Sequence, residues 1–548
     1  MKQNVLRIHP KDNVLVALQS LQAGERIVFE GEAITLLDEV PSKHKFNTSG
    51  LDKGAPILMY GTLVGRAKKN LPKGSLLTTE NVAHDASEFS LKNGEYIWKA
   101  PAISKFENRH FLGYHRKDGQ VGTANYWLVF PLVFCENRNI ASIREAFVEE
   151  LGFGKTNPYK QLVQQMATLY RKGDLSELES LGIDPVNEKP DNRLFKNIDG
   201  IKFLSHEGGC GGTRQDAEAL CALLAGYVHN PNVAGATVLS LGCQHAQADI
   251  LRTKLEAINP QMDKPLIVLE QQKEGTEREL LTLAIKRTFL AMAQADKEIR
   301  KPAPLSKLAI GLECGGSDGF SGISANPAIG YTSDLVVALG GTTILSEFPE
   351  LCGVEQELIN RCNDSEIAGK FSRLMKTYAA RAESVGSGFD MNPSPGNIRD
   401  GLITDAMKSS GAAKKGGTSP VADVLDYGEY IRKPGLNLLC TPGNDVESTS
   451  AMAGSGANII LFTTGLGTPT GNPITPVIKL SSNSALAKRM PDIIDIDTGG
   501  IISGERSIEE MGEEILEHII QVASGNIKTK AMQLGQDDFI PWKRGVSL

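Results

Sequence analysis

The sequence predicts an α/β protein: a small N-terminal β domain, then a large parallel α/β catalytic region of two subdomains. Two observations carry this. After the first hundred residues, strand-like apolar runs alternate with amphipathic helical patterns, as in parallel sheets with crossover helices. Before them, short apolar runs are separated only by turn residues, with no helical pattern between.

Residues 1–88 form the expected small domain. Val14–Leu18, Ile27–Phe29, Ile34–Leu37 and Ile57–Tyr60 are strand candidates, broken by turn signals at Ala23-Gly24, Asp52-Lys53-Gly54 and Pro72-Lys73-Gly74. Residues 89–112 are polar and non-periodic, which reads as a linker. Strands are then expected at Trp127–Phe134, Ile201–Leu204, Ala236–Leu241, Leu266–Leu269, Leu308–Leu312, Thr342–Leu345, Leu436–Cys440 and Asn458–Thr464. Helices are expected at Arg214–Val228 and Glu277–Gln294. A last helix opens at Ser507, with Glu510 completing a capping box and Ile508, Met511, Ile515 and Ile519 on one face. The stretch Asn392–Gly417, dense in Pro, Gly, Ser and Lys, is a candidate boundary or a long functional loop. Taken as a boundary, it divides the region into 113–390, carrying the cysteine loops, and 391–548.

Composition narrows the function. The 548 residues exceed one core and suggest several domains at roughly 150 residues each. A formal net charge of −7 without a Lys/Arg block argues against nucleic acid or an anionic membrane as partner. No apolar stretch approaches the roughly 18 residues of a membrane helix, and the opening residues lack a signal-peptide core. A cytoplasmic location is therefore expected, with the eight cysteines reduced.

Three cysteines lie in glycine-rich loops after apolar runs: Cys210 in SHEGGCGGTRQD, Cys243 in VLSLGCQHAQAD and Cys314 in LAIGLECGGSDGFSG. Cys135 ends another such run. Ligands sit outside the carboxyl ends of parallel strands. These thiols are accordingly expected on one sheet edge, with His206, around a shared metal or substrate. Thiolates contributed one per loop suit iron or an iron–sulfur centre with an open position. Magnesium and calcium prefer oxygen. Cys221, Cys352, Cys362 and Cys440 read as packing thiols. His9 and His44 form a second metal candidate, although two histidines so far apart are more often surface residues. The loops Asn392–Gly401, Thr441–Ser450 and Thr463–Pro473 combine rigid prolines with Asn, Asp, Ser and Thr, suited to a polyhydroxylated anion. Neither GxxxxGK[ST] nor a GxGxxG after a strand occurs, which argues against a nucleotide.

Together these stretches resemble the altronate/galactarate dehydratase family, which includes a sulfolactate sulfo-lyase. The resemblance spans nearly the whole chain. It runs through RIHPKDNVLVAL and KHKF, GYHRKDGQVGTANYW, SHEGGC, LGCQ, GLECGGSDGFSGISANPAIGYTSD, GGTTILSEFPE, NPSPGN and TPGND to TTGLGTP. It implies an SAF-type, β-clip-like N-terminal domain, and dehydration of an aldonate, D-altronate first, or an aldarate to a 2-keto-3-deoxy acid. Ferrous iron is the implied activator, with Mn2+ as a substitute, in a homo-oligomer, a dimer first.

His206 is the expected general acid or base, with Asp318 and Glu347 as carboxylate alternatives; Asp318 equally suits an N-cap. Expected substrate contacts are Asn125, Arg214, Ser317, Asn326, Asn392, Ser394, Asn397, Asp445, Thr464 and Thr468, and expected metal ligands are Cys135, Cys210, Cys243, Cys314, His9 and His44. The chain departs from the family at Leu466, where arginine is usual, and at Ala124-Asn125, where arginine-asparagine is usual. Arg214 is the expected compensating cation. A lyase that eliminates sulfite instead of water and a sugar-acid-binding protein without turnover are the competing readings.

Overall fold

The computed structural model describes residues 4–154, 157–173, 175–183 and 192–547. The N-terminal domain is built from small antiparallel sheets. Val14–Ala17 pairs with Val5–Leu6 and Lys45–Asn47, Arg26–Phe29 with Glu32–Thr35, and Thr62–Ala67 with Pro56–Met59 and Val82–Ala83. One of its two cores is its own, centred on Leu15, Leu36 and Phe46. The other shares Ile57, Met59 and Val64 with Phe320, Ile323, Ile403 and Met407 of the catalytic region. Burying apolar surface across this contact docks the domain. The polar segment that follows lies along the protein surface, where Tyr96 Oη donates to the Thr418 carbonyl at 2.7 Å and Trp98 Nε1 to Thr418 Oγ1 at 3.1 Å.

The catalytic region holds two parallel sheets. The first has four strands in the order Gly200–Phe203, Tyr126–Pro131, Val233–Ser240 and Leu266–Glu270. The second has seven, in the order Val421–Leu425, Gly435–Leu439, Thr342–Leu345, Ala309–Cys314, Ile459–Thr464, Val477–Ser481 and Ile496–Asp497. Tyr126–Pro131, Val233–Ser240, Ala309–Cys314 and Ile459–Thr464 are buried at every residue. Both faces of such strands are covered, so they read as continuous apolar runs instead of alternating. Helices Arg214–His229 and Asp445–Gly454 pack against each other within the core that joins the sheets. A side chain at Gly226 would stand 1.7 Å from the Gly454 carbonyl oxygen, so glycine alone permits this approach. The helix Ile508–Ala523 carries the expected capping box.

Two expectations are corrected here. No domain boundary falls at residue 391, because strands on both sides of it pair in the seven-stranded sheet. The division lies instead between the helix ending at Ala295 and the strand beginning at Ala309. Nor do the four thiols share one sheet edge. Cys135, Cys210 and Cys243 follow strands of the four-stranded sheet, whereas Cys314 ends a strand of the seven-stranded sheet. Strand-and-loop sequence alone cannot say which of two sheets a strand joins.

Candidate active site

In the seven-stranded sheet the strand order reverses between Ala309–Cys314 and Ile459–Thr464, and the loops after these two strands open a crevice at their carboxyl ends. Residues 315–319 form one wall. Gly315 is pressed against Asp445, since a Cβ there would lie 2.0 Å from Asp445 Oδ2. Gly316, at φ +61°, faces Thr464, Leu466 and Thr468. The Ser317 carbonyl accepts from Asn397 Nδ2 at 2.8 Å, which ties in the loop of the short Pro395–Arg399 helix. Ser394 caps that helix with its hydroxyl.

Asp318 is fully buried. Its carboxylate accepts from the Ser321 backbone and hydroxyl, each at 2.9 Å, the Phe320 backbone at 3.2 Å, Ser482 Oγ at 2.8 Å and Asn483 Nδ2 at 3.1 Å. It also pairs with Lys43 Nζ at 3.0 Å. With its lone pairs so occupied, Asp318 is a fixed anion that positions Lys43, not the proton acceptor expected. Lys43 reaches the crevice from the N-terminal domain in a left-handed backbone conformation (φ 76°) and also donates to Asp400 Oδ1 at 2.7 Å. Burial opposes its charge, but Asp318 and Asp400 more than offset this and raise its pKa. Lys45 is buried beside it and donates to the Gly401 carbonyl at 2.7 Å. Burial lowers its pKa to about 7, with Asp318 opposing the shift and Lys43 adding to it. The amine is thus poised between its two forms at neutral pH.

Behind this wall lies a buried polar cluster. Lys415 Nζ donates to Cys314 Sγ at 2.7 Å and Glu347 Oε2 at 3.0 Å, and the Cys314 thiol donates to Glu350 Oε2 at 3.0 Å. Lys408 bridges Glu350 Oε1 and Asn392 Oδ1, each at 2.6 Å. Glu347 holds a left-handed conformation (φ 64°), rare for a residue with a side chain; its backbone N–H donates to Thr441 Oγ1 at 2.9 Å. Burial and then Glu350 raise its pKa; burial and then Glu347 raise that of Glu313 much further. Glu313 Oε1 and Glu347 Oε1 are both buried without a donor, which one proton on Glu313, shared with Glu347, relieves. Burial, with Glu347 and Glu350, raises Asp445 to about 7. Asp445 opens the helix Asp445–Gly454 and is only partly buried, so it can exchange protons with a bound molecule.

Among the described residues, two acidic sets have ligand atoms within 4.8 Å of one another: Cys314 with Glu347 and Glu350, and Glu313 with Glu347 and Asp445. In the first, the Lys415 ammonium already holds the place of a cation. Burial, reinforced by Glu347 and Glu350, holds the Cys314 thiol well above the usual range.

The other expected residues divide. Asn392, Ser394, Asn397, Asp445, Thr464, Thr468, Ser317 and Glu347 all belong to the crevice or its backing. Asn326 is a scaffold residue, its amide taken by the Gly411 carbonyl and Thr463 Oγ1. Asn125 precedes the amino end of Tyr126–Pro131, away from any carboxyl-end site, and is bonded to Asn197, Ala295 and Arg116. His206 lies on the four-stranded sheet, where Nε2 donates to the Pro131 carbonyl at 2.8 Å and Nδ1 accepts from Gly208 N at 3.1 Å. Both ring nitrogens are engaged and burial lowers its pKa, so it fixes the Cys210 loop and is not a free base. Arg214 is the exposed first residue of its helix beside that same loop. Near Leu466 the guanidinium is Arg399: a side chain at Gly396 would stand 3.6 Å from Leu466 Cδ1 and 3.8 Å from Arg399 Nη2. His9 packs on Gly61, and His44 Nδ1 lies 3.3 Å from the Ser42 carbonyl; neither joins either acidic set. The residues that sequence reasoning missed are lysines: Lys43 and Lys45 flanking His44 in KHKF, and Lys408 and Lys415 in the stretch read as a boundary. Lysine so often marks a solvated surface that only burial exposes these roles.

Known proteins resemble this chain along nearly its whole length. Residues 3–85 match the altronate/galactarate dehydratase SAF domain, 113–296 the D-galactarate dehydratase/altronate hydrolase second domain, and 305–547 the D-galactarate/altronate dehydratase C-terminal domain. The chain is 33% identical over 525 residues to altronate dehydratase of Bacillus subtilis, covering 96% of each protein. It is 33% identical over 521 residues to altronate dehydratase of Escherichia coli, covering 95% of each. To the galactarate dehydratase (L-threo-forming) of Escherichia coli it is 29% identical over 542 residues, 97% of this chain and 94% of that protein. With three domains matched in order along nearly its whole length, the chain belongs to the altronate/galactarate dehydratase family.

Proposed function

We propose that this protein is a hydro-lyase that dehydrates a sugar acid, an aldonate with D-altronate first, to a 2-keto-3-deoxy acid. One observation carries the reading: the switch-point crevice joins a cationic anchor, Lys43, to two proton-transfer groups with pKa values near 7, Asp445 and Lys45. The substrate carboxylate pairs with Lys43, whose ammonium Asp318 and Asp400 hold in place. Ser317, Asn392, Thr464 and Thr468 read the hydroxyls along the crevice. Arg399, not Arg214, supplies the cation next to Leu466.

Asp445 takes the proton from C2. The electron pair left on C2 forms the C2–C3 double bond as the C3 hydroxyl departs, protonated to water by Lys45. The resulting enol returns a proton to C3 and becomes the 2-keto acid, so one water leaves per turnover. A C2 proton beside a carboxylate is weakly acidic, so the fixed charge of Lys43 on the enediolate supplies much of the rate. Glu313 and Glu347, beside Asp445, would hold an iron ion that would add a Lewis acid for the same negative charge.

The test is an anaerobic assay of iron-loaded protein against altronate, galactarate, related aldonates and sulfolactate. Keto acid from an aldonate is expected. Keto acid from no sugar acid, or sulfite from sulfolactate, would overturn the assignment.

A further inference from the structure

Beyond the short helix Lys530–Leu534, residues 535–547 form an irregular segment that touches both sheets of the catalytic region. Gln536 Oε1 accepts from Lys479 Nζ of the seven-stranded sheet at 2.5 Å, and Asp537 Oδ1 accepts from Lys202 Nζ of the four-stranded sheet at 2.7 Å. Phe539 meets Tyr227 edge to face, with ring centroids 5.1 Å apart. Trp542 N donates to Tyr427 Oη at 2.6 Å, and the Arg544 guanidinium donates to both carboxylate oxygens of Asp426, at 2.6 and 3.2 Å. The backbone N–H groups of Arg544 and Gly545 donate to Asp216. The segment is thus a strap fastened along its length, by aromatic packing and a bidentate ion pair as well as by single hydrogen bonds.

Two further contacts land on the walls of the crevice. Asp538 Oδ2 accepts from Gly471 N at 2.9 Å, in the loop that joins Ile459–Thr464 to Val477–Ser481 and carries Leu466 and Thr468. A Cβ at Gly471 would stand 2.0 Å from the Gln536 carbonyl oxygen, so loop and strap are pressed backbone to backbone. Ile540 N donates to Ser450 Oγ at 3.1 Å, on the helix that Asp445 opens. Residues 465–476 are neither helix nor strand, so the loop takes its shape from the points at which it is held. Near its start the Gly316 carbonyl accepts from Gly465 N and Leu466 N, each at 3.0 Å. Beyond Thr468, Asp538 is the carboxylate that holds it.

We infer that Asp538 is a positioning residue for the dehydration: by holding the Gly471 N–H it fixes the crevice loop whose Leu466 and Thr468 meet the sugar acid. This rests on the reading of the crevice as the substrate site. A carboxylate suits the role, because an ionised acceptor binds a backbone N–H about twice as strongly as a neutral one. The other fastenings of the strap do not pass through Asp538, so its side chain can be changed without releasing the strap.

The test compares Asp538→Ala, Asp538→Asn, Asp537→Ala and Gly471→Ala in iron-loaded, full-length protein, each checked for native circular dichroism. Steady-state kinetics are measured on D-altronate, or on whichever sugar acid of the same panel the wild type dehydrates, and hydrogen exchange is measured over residues 463–473. D538A should raise KM about tenfold with kcat within about twofold, and should speed exchange of the loop about tenfold. D538N keeps an acceptor at the same place and should recover most of both. D537A loses the Lys202 pair one residue away and should match the wild type in both. G471A, which drives the Gln536 backbone off the loop, should reproduce D538A. Wild-type KM or unchanged loop exchange in D538A, equal defects in D538N and D538A, or the same defect in D537A would overturn the inference. A wild type that makes no keto acid would sink the proposed reaction instead, and the exchange measurement alone then decides whether Asp538 holds the loop.

Discussion

Replacing Lys415 by Met probes the buried cluster behind the crevice most directly. The Lys415 and Glu347 side chains are each 1% exposed and 3.0 Å apart, so solvent screens little of their interaction. Removing the cation leaves Glu347 beside Glu350 with only Lys408, on the far side of Glu350, as counter-charge. Breaking one half of a buried pair costs about 3–5 kcal/mol, because the surviving ion remains desolvated. The loss depends on pH, with a definite sign. Glu347 already has a raised pKa in the folded protein, from burial and then Glu350, and removing Lys415 raises it further. A carboxyl whose folded pKa exceeds its unfolded value stabilises the fold at low pH and loses that contribution as pH rises through the folded value. The K415M deficit should therefore be largest at pH 8 and shrink toward pH 5, as Glu347 takes up a proton with falling pH. Urea denaturation followed by circular dichroism at both pH values measures it. The double variant E347Q/K415M, which removes both charges, should recover more than half of the loss at pH 8. A deficit under about 1 kcal/mol at pH 8, or no recovery in the double variant, would refute the account of Lys415 as counter-ion of a buried carboxylate pair.

Asp445→Asn should lower kcat by roughly 10²–10⁴-fold and abolish the rise of rate with pH through about 7; a pH–rate profile with that limb intact would assign the base elsewhere. Arg399→Met should raise KM for the sugar acid by about tenfold with a smaller effect on kcat, as befits a lost charged contact, and unchanged KM would remove Arg399 from the site. His206→Ala leaves the Pro131 carbonyl and the Gly208 N–H without partners, so thermal unfolding should register a loss of about 1–3 kcal/mol. Gly226→Ala forces a methyl against the Gly454 carbonyl oxygen, so a loss of about 1–3 kcal/mol is expected in chemical denaturation, and native stability would contradict the close helix approach.

The sequence by itself determined the fold class, the small β domain and the loops that line the crevice. Apolar runs buried on both faces, such as Ala309–Cys314 and Ile459–Thr464, are distinctive, as are the glycines that follow Cys314 and the capping box at Ser507. It also singled out Cys210 and Cys243 by the glycines beside them. Tertiary structure alone decided which sheet each strand entered. That choice separated Cys314 from the other thiols and joined residues on both sides of position 391, since parallel neighbours are distant in sequence and their pairing leaves no local pattern. It also turned four lysines from apparent surface residues into buried (Lys45, Lys415) or partly buried (Lys43, Lys408) groups. Lys45 lies 356 residues from the Gly401 carbonyl it meets, and Lys415 is 101 from Cys314. A side chain's charge is written in the sequence, but its solvation, and hence its pKa and its chemistry, is set by what the fold packs around it.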